Sequence, residues 1–214
     1  MFQLKAFTFN PLQENTYLLY NEQKDAILID PGCYEESEKD ELHHFISEHQ
    51  LNLRYLLNTH CHLDHVFGNL WVYQKFETPL HLHENEKKVL EAAPVSGLMW
   101  GLPFEVYQGP LLPLLPGNKI CLGEDCLEIL FTPGHSPGHL SFYCSKQHFI
   151  LSGDVLFRES IGRTDLPGGD MKTLLQSIQT QLWPLPNQTI VYSGHGPSTT
   201  IGHEKKHNPF LINE

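Results

Sequence analysis

Positive charge is scarce in this chain: Lys and Arg number 14 against 25 Asp and Glu, a net charge of −11 with histidines neutral. A nucleic-acid-binding face needs clustered Lys and Arg to displace counterions, so nucleic acid is not an expected partner. Long apolar runs are missing too, and none approaches the roughly 18 residues of a membrane span. The opening Met1-Phe2-Gln3-Leu4-Lys5 lacks a charged-then-apolar leader. The expectation is a cytoplasmic protein that neither enters a membrane nor is exported. Cysteines are few and odd in number, 5 without a pairing pattern, which fits free thiols in a reducing compartment. A chain of 214 residues leaves little room for a second domain, so a single domain over residues 1–214 is expected.

What the chain does have is histidine, and it is concentrated. Thr59-His60-Cys61-His62-Leu63-Asp64-His65 places four metal-binding side chains within six residues, directly after the strand-like run Tyr55-Leu56-Leu57. Imidazoles two apart at a strand end project from one short turn, and Asp64 and His65 follow where a helix would begin. One loop can therefore present ligands to two adjacent ions.

That loop cannot complete two coordination shells alone, and three later segments offer the remainder. His135 follows the strand-like Leu127–Phe131 in the turn Thr132-Pro133-Gly134-His135, whose glycine and proline fix its direction. Phe149-Ile150-Leu151-Ser152-Gly153-Asp154 is an apolar strand ending in a carboxylate, and Thr189-Ile190-Val191-Tyr192-Ser193-Gly194-His195 ends likewise in an imidazole between two glycines. Every candidate ligand lies just beyond the C-terminal end of a predicted strand, where open α/β folds place their sites.

These residues resemble the metallo-β-lactamase superfamily, whose signature is an HxHxDH loop followed by a single His, a single Asp and a last His in this order. The resemblance runs from Asp30-Pro31-Gly32 to His195. It implies that His60, His62 and His135 hold one metal, that Asp64, His65 and His195 hold a second, and that Asp154 bridges them. A carboxylate suits that place because its two oxygens can join cations about 3.5–4 Å apart. A bridging Asp is similar to the glyoxalase II, persulfide dioxygenase and lactonase branches, not the β-lactamases proper. The stretch from Gly153 to Asp170, with Gly162-Arg163-Thr164-Asp165, looks like short bacterial glyoxalase II-like proteins, and persulfide dioxygenases share a similar run.

The implied cofactor is two divalent ions, zinc first, with iron or manganese as alternatives. The implied reaction is hydrolysis of a small-molecule thioester of the S-2-hydroxyacylglutathione type by a metal-bridging hydroxide, which Asp64 orients. Three rivals remain: a mononuclear iron persulfide dioxygenase built on His60, His135 and Asp154, a lactonase, and a non-catalytic metal-binding protein. Longer glyoxalase II enzymes carry a C-terminal helical region for glutathione that this chain does not extend far enough to include. Arg158, Arg163, Lys205 and Lys206 are the candidates left for contacting an anionic thiol carrier, with Arg163 the strongest because it follows Asp154 in a Gly-flanked loop.

The remaining readings concern scaffold. Strand-like Phe2–Phe9, Thr16–Tyr20 and Ala26–Asp30 precede a helical Glu35–Gln50 with Leu42, Phe45 and Ile46 on one face. A second strand-rich block covers Ile120–Gly153, and a helix covers Met171–Leu182. That rhythm suits an α/β fold, the four-layer αββα sandwich. Residues 93–116, rich in proline, are read as a loop forming a wall or lid, or as a connector covering a sheet edge. Cys61 should point away from the two flanking imidazoles and be buried. His139 is left a hydrogen-bonding role. Asp30, ending an apolar strand, is either a turn former or a partner that orients a ligand imidazole.

Overall fold

The computed structural model describes residues 1–212. They form two compact units that divide at Leu114/Leu115.

The first unit is a six-stranded sheet in the order β1-β2-β3-β4-β5-β6, made by β1 (Gln3–Phe9), β2 (Glu14–Tyr20), β3 (Asp25–Ile29), β4 (Asn52–Leu57), β5 (Leu80–Leu82) and β6 (Leu111–Pro113). The first three strands pair antiparallel and the rest parallel. The parallel pairs need crossovers, supplied by α1 (Glu36–Glu48), then α2 (Leu63–Val66) with α3 (Asn69–Phe76), then α4 (Lys87–Met99). Helix α1 begins where Glu38 Oε2 accepts the backbone N–H groups of Tyr34 and Glu35, and it buries Leu42 and Ile46, one turn apart. Those side chains pack with Leu28, Leu53 and Leu56 of the sheet. Strands β2 and β3 are buried along nearly their whole length, as strands covered on both faces require.

Residues 93–116 are not a continuous loop. Helix α4 runs through Pro94, and β6 lies within the same segment. The cost of an interior proline is met by packing, because Leu90, Ala93 and Gly97 are all buried on one side of the helix. Strand β6 is the sheet edge, where a proline need not donate to a neighbour.

The second unit has a sheet ordered β14-β13-β10-β9-β8-β7, comprising β7 (Lys119–Leu122), β8 (Asp125–Phe131), β9 (Leu140–Cys144), β10 (Phe149–Gly153), β13 (Ile190–Ser193) and β14 (Thr199–Thr200). A separate small hairpin pairs β11 (Leu156–Phe157) with β12 (Ser160–Ile161). Helix α5 (Met171–Ser177) is capped by Asp170 and continues as a π-helical turn over Ile178–Leu182; α6 (Ile201–His207) is capped by Thr200. Leu174, Ile178, Leu182 and Ile201 pack against Ile150 and Val191.

Five free thiols are not what the fold contains. Cys121 and Cys126 face each other across the β7–β8 hairpin and are joined by a disulfide, leaving Cys33, Cys61 and Cys144 as buried free cysteines. The pairing follows from the Gly123-Glu124 turn, which sets a register the residue spacing alone does not specify.

Candidate metal centre

Each proposed ligand leaves the C-terminal end of a strand, as the sequence suggests. In the first unit β4 delivers Asn58 to His62, and His62 is the N-terminal boundary of α2, which carries Asp64 and His65. Asp30 follows β3 at a left-handed φ of +49°, a conformation Asp tolerates better than most residues. Its Oδ1 accepts the Thr59 N–H at 2.7 Å and Asn58 Nδ2 at 3.1 Å. Its Oδ2 accepts Thr59 Oγ1 at 2.6 Å and lies 3.1 Å from His65 Nδ1.

These bonds assign the tautomers. A carboxylate can only accept, so His65 carries its proton on Nδ1 and turns the Nε2 lone pair the other way. Thr59, having given its proton to Asp30, accepts from His60 Nδ1 at 3.0 Å, which leaves His60 Nε2 as a second basic nitrogen. Ligand atoms of Asp30, His60 and His65 all lie within 4.8 Å of one another. Asp64 Oδ2 is 3.7 Å from His65 Nε2.

Three further groups hold this loop that the sequence did not single out. Asn10 Nδ2 donates to the carbonyls of Gly32 and Asp64 at 3.0 and 3.1 Å, tying β1 to the ligand helix. Glu14 is wholly buried, with Oε1 3.8 Å from His65 Nδ1, and burial pushes its carboxyl well up from the usual range. Gly32 is required beside it, since a Cβ there would overlap Glu14 Oε2 and approach the Asp64 carbonyl to 2.6 Å. Glu86, also fully buried, accepts the Cys61 N–H at 2.8 Å and so fixes the backbone between His60 and His62. Cys61 itself is 0% exposed behind the loop, as expected. Neither Glu86 nor Glu14 carried a sequence signal: Glu86 is separated from the short Leu80-His81-Leu82 strand by three polar residues, and Glu14 precedes its apolar run.

Removing the Glu86 carboxylate should show its weight. Glu86→Ala leaves the buried Cys61 N–H without that acceptor, and the expected loss is about 1–3 kcal/mol of unfolding free energy, with Glu86→Gln losing less. Denaturant unfolding of the three proteins measures it, and identical midpoints would show that the loop does not depend on Glu86.

In the second unit His135, Asp154 and His195 converge. Asp154 Oδ2 lies 3.5 Å from His135 Nε2 and 3.6 Å from His195 Nε2. These separations are long for hydrogen bonds. Taken pair by pair, Asp154 with His135 and Asp154 with His195, they match two donors to a common four-coordinate cation, because ligands about 2.0–2.1 Å from such an ion sit roughly 3.3–3.4 Å apart. His135 Nδ1 donates to the Arg163 carbonyl at 2.7 Å, again leaving Nε2 for metal. His139 does have the expected hydrogen-bonding role: its Nδ1 meets Thr132 Oγ1 at 3.0 Å and its Nε2 accepts the Asp154 N–H at 3.2 Å. The donor set of imidazoles and carboxylates, with proton-bearing nitrogens already engaged, fits divalent metal ions.

The cationic candidates are all in this unit. Arg158 is exposed at the tip of the β11–β12 hairpin, and Lys206 is exposed on α6. Lys205 Nζ donates to Asn187 Oδ1 at 3.1 Å and lies over the Trp183 ring. The Arg163 guanidinium binds both oxygens of Asp165 at 2.7 Å and draws that carboxyl down to about 2.

Buried imidazoles with assigned proton-bearing nitrogens, at strand ends of mixed sheets flanked by helices, define a metal-binding α/β protein. The chain belongs to the metallo-beta-lactamase superfamily, whose sequence profile matches residues 9–195, and is a metallo-hydrolase of it. It is 42% identical over 204 residues to the probable metallo-hydrolase YqgX of Bacillus subtilis, covering 94% of this chain and 93% of that one. It is 40% identical over 201 residues to the hydroxyacylglutathione hydrolase GloC of Haemophilus influenzae, covering 93% of each. Among solved structures, the BLEG-1 B3 metallo-beta-lactamase matches with a TM-score of 0.90 at 41% identity, covering 99% of this chain and 100% of that one. TTHA1623 in a di-iron-bound form matches at 0.87 and 40% identity, covering 97% and 100%. The metallo-β-lactamase fold expected from the motifs is thus the fold of this chain. Among the described residues no helix is long and apolar enough to cross a membrane.

Proposed function

We propose that His60, His62, Asp64, His65, His135, Asp154 and His195 hold two divalent ions, zinc in the first instance, and that the protein hydrolyses thioesters of the S-2-hydroxyacylglutathione type. The observation that carries the two-ion reading is Asp154 Oδ2, placed at near-equal ligand spacing from the Nε2 atoms of His135 and His195. Two such ions would acidify a shared water, polarise the thioester carbonyl and accept the departing thiolate. The chain's own residues set the geometry: Asp30 and Thr59 hold the His65 and His60 rings, and a carboxylate oxygen of Asp64 would orient the attacking water.

The substrate class is supported by the Haemophilus relative, which bears the name of a hydroxyacylglutathione hydrolase and is matched over 93% of its length. Arg158 and Lys206, both exposed, are the proposed contacts for the carboxylates of the thiol carrier. A cytoplasmic location is proposed with this reading, although the Cys121–Cys126 disulfide removes its support from free thiols.

Metal analysis of protein purified without added metal, run beside a panel of a glutathione thioester, a lactone, a β-lactam and glutathione persulfide, tests the proposal. Two ions per chain and preferential thioester cleavage are expected. One iron per chain with oxygen consumption on the persulfide would replace the hydrolase with a dioxygenase, and preferential lactone or β-lactam opening would replace the substrate.

A further inference from the structure

The segment leaving β12 passes directly over two of the proposed ligands. Gly162 donates its N–H to the Val155 carbonyl at 3.2 Å, and a Cβ on it would overlap the Asp154 carbonyl oxygen and come within 3.2 Å of His135 Nδ1. The next carbonyl, of Arg163, accepts the His135 Nδ1–H at 2.7 Å. The chain then folds tightly, with the Gly169 N–H on the Leu166 carbonyl at 2.9 Å. It returns to the same turn through the Asp170 N–H, which donates to the Gly134 carbonyl at 2.8 Å. The loop 162–170 is thus pinned at both ends beside His135, and between the pins the Arg163 guanidinium forks onto both Asp165 oxygens.

We propose that this loop is a strap that aims His135 and Asp154 at the metal, and that the Arg163–Asp165 pair locks it, so that Arg163 is a positioning residue and not the substrate's grip. The inference rests on the metal reading of His135 and Asp154. A bidentate guanidinium–carboxylate pair fixes orientation as well as distance, and here it fixes the peptide whose carbonyl selects the His135 tautomer. The two side chains are 51% and 68% exposed, so removing either disturbs little packing. Lost hydrogen-bond partners behind a metal ligand weaken metal affinity by about 10–100-fold.

Zinc affinity by competition with a chromophoric chelator, the visible spectrum of the cobalt-substituted protein and thermal unfolding are measured for wild type, Arg163→Ala, Asp165→Ala and the double exchange Arg163→Asp/Asp165→Arg. Both single variants should weaken zinc binding at one site by about 10-fold and alter the cobalt spectrum without a shift in unfolding temperature, and the exchange should restore most of the affinity. Wild-type zinc affinity in Arg163→Ala, with only kcat/KM for an anionic thioester reduced, would overturn the strap and return Arg163 to substrate binding. A wild-type protein that binds no zinc, cobalt or iron would overturn the metal reading itself and the strap with it.

Discussion

Asp154→Ala is expected to lose both metal ions and with them essentially all hydrolysis, whereas His195→Ala should retain one ion. The backbone around Asp154 is held independently, since its N–H is accepted by His139 and Gly162 passes over its carbonyl. The substitution therefore removes the carboxylate and little else. If Asp154 bridges two ions as proposed, its loss would take a ligand from each and leave their mutual repulsion unscreened. The expected loss of affinity exceeds the roughly 10–100-fold that follows removal of an outer partner. Elemental analysis of the two variants reads it directly, and equal metal retention in both would count against a bridging role.

Asp30→Asn should weaken metal binding by about 10–100-fold while leaving a folded protein. Asparagine tolerates the left-handed backbone at this position, so the effect arises in the hydrogen bonds. Asp30 accepts from Thr59 twice, from Asn58 and from His65. An amide places donor hydrogens where one oxygen stood. With the NH2 toward His65, Nδ1 can accept only if its proton moves to Nε2, the atom proposed for metal; with the amide flipped, the NH2 meets the Thr59 and Asn58 donors instead. Chelator competition with circular dichroism as the control would measure this. Unchanged affinity would leave Asp30 a turn former only.

Much of the candidate site was readable because its donor groups obey one local rule, an apolar run of a few residues followed within one to four positions by a donor side chain. Strands β3, β4, β8, β10 and β13 all end that way, at Asp30, His60, His135, Asp154 and His195. Helix α1 was equally readable, since Leu42 and Ile46 repeat at helical spacing and Glu38 supplies its own start. The supporting groups were harder to see. Glu86 reaches Cys61 across 25 positions and Glu14 lies near His65 from the far side of the chain order. Nothing near either residue in sequence reveals a buried partner. Arg163 was read as a substrate contact because its charge is visible in the sequence, while its carbonyl, which holds His135, is a property every residue shares.

By itself the sequence determined the approximate strand ends, the donor types beyond them and the family, because apolar runs and the donor types at their ends are local properties that survive in any register. Tertiary structure decided the rest. It carried α4 through Pro94, paired Cys121 with Cys126, set the proton-bearing nitrogens of His60, His65 and His135, and turned Arg163 toward Asp165. Most of these depend on a free-energy balance between groups that packing or strand register brings within a few ångströms, where burial makes an unmet hydrogen bond costly enough to choose one arrangement; the Arg163–Asp165 pair, two residues apart and exposed, is a choice of side-chain direction instead.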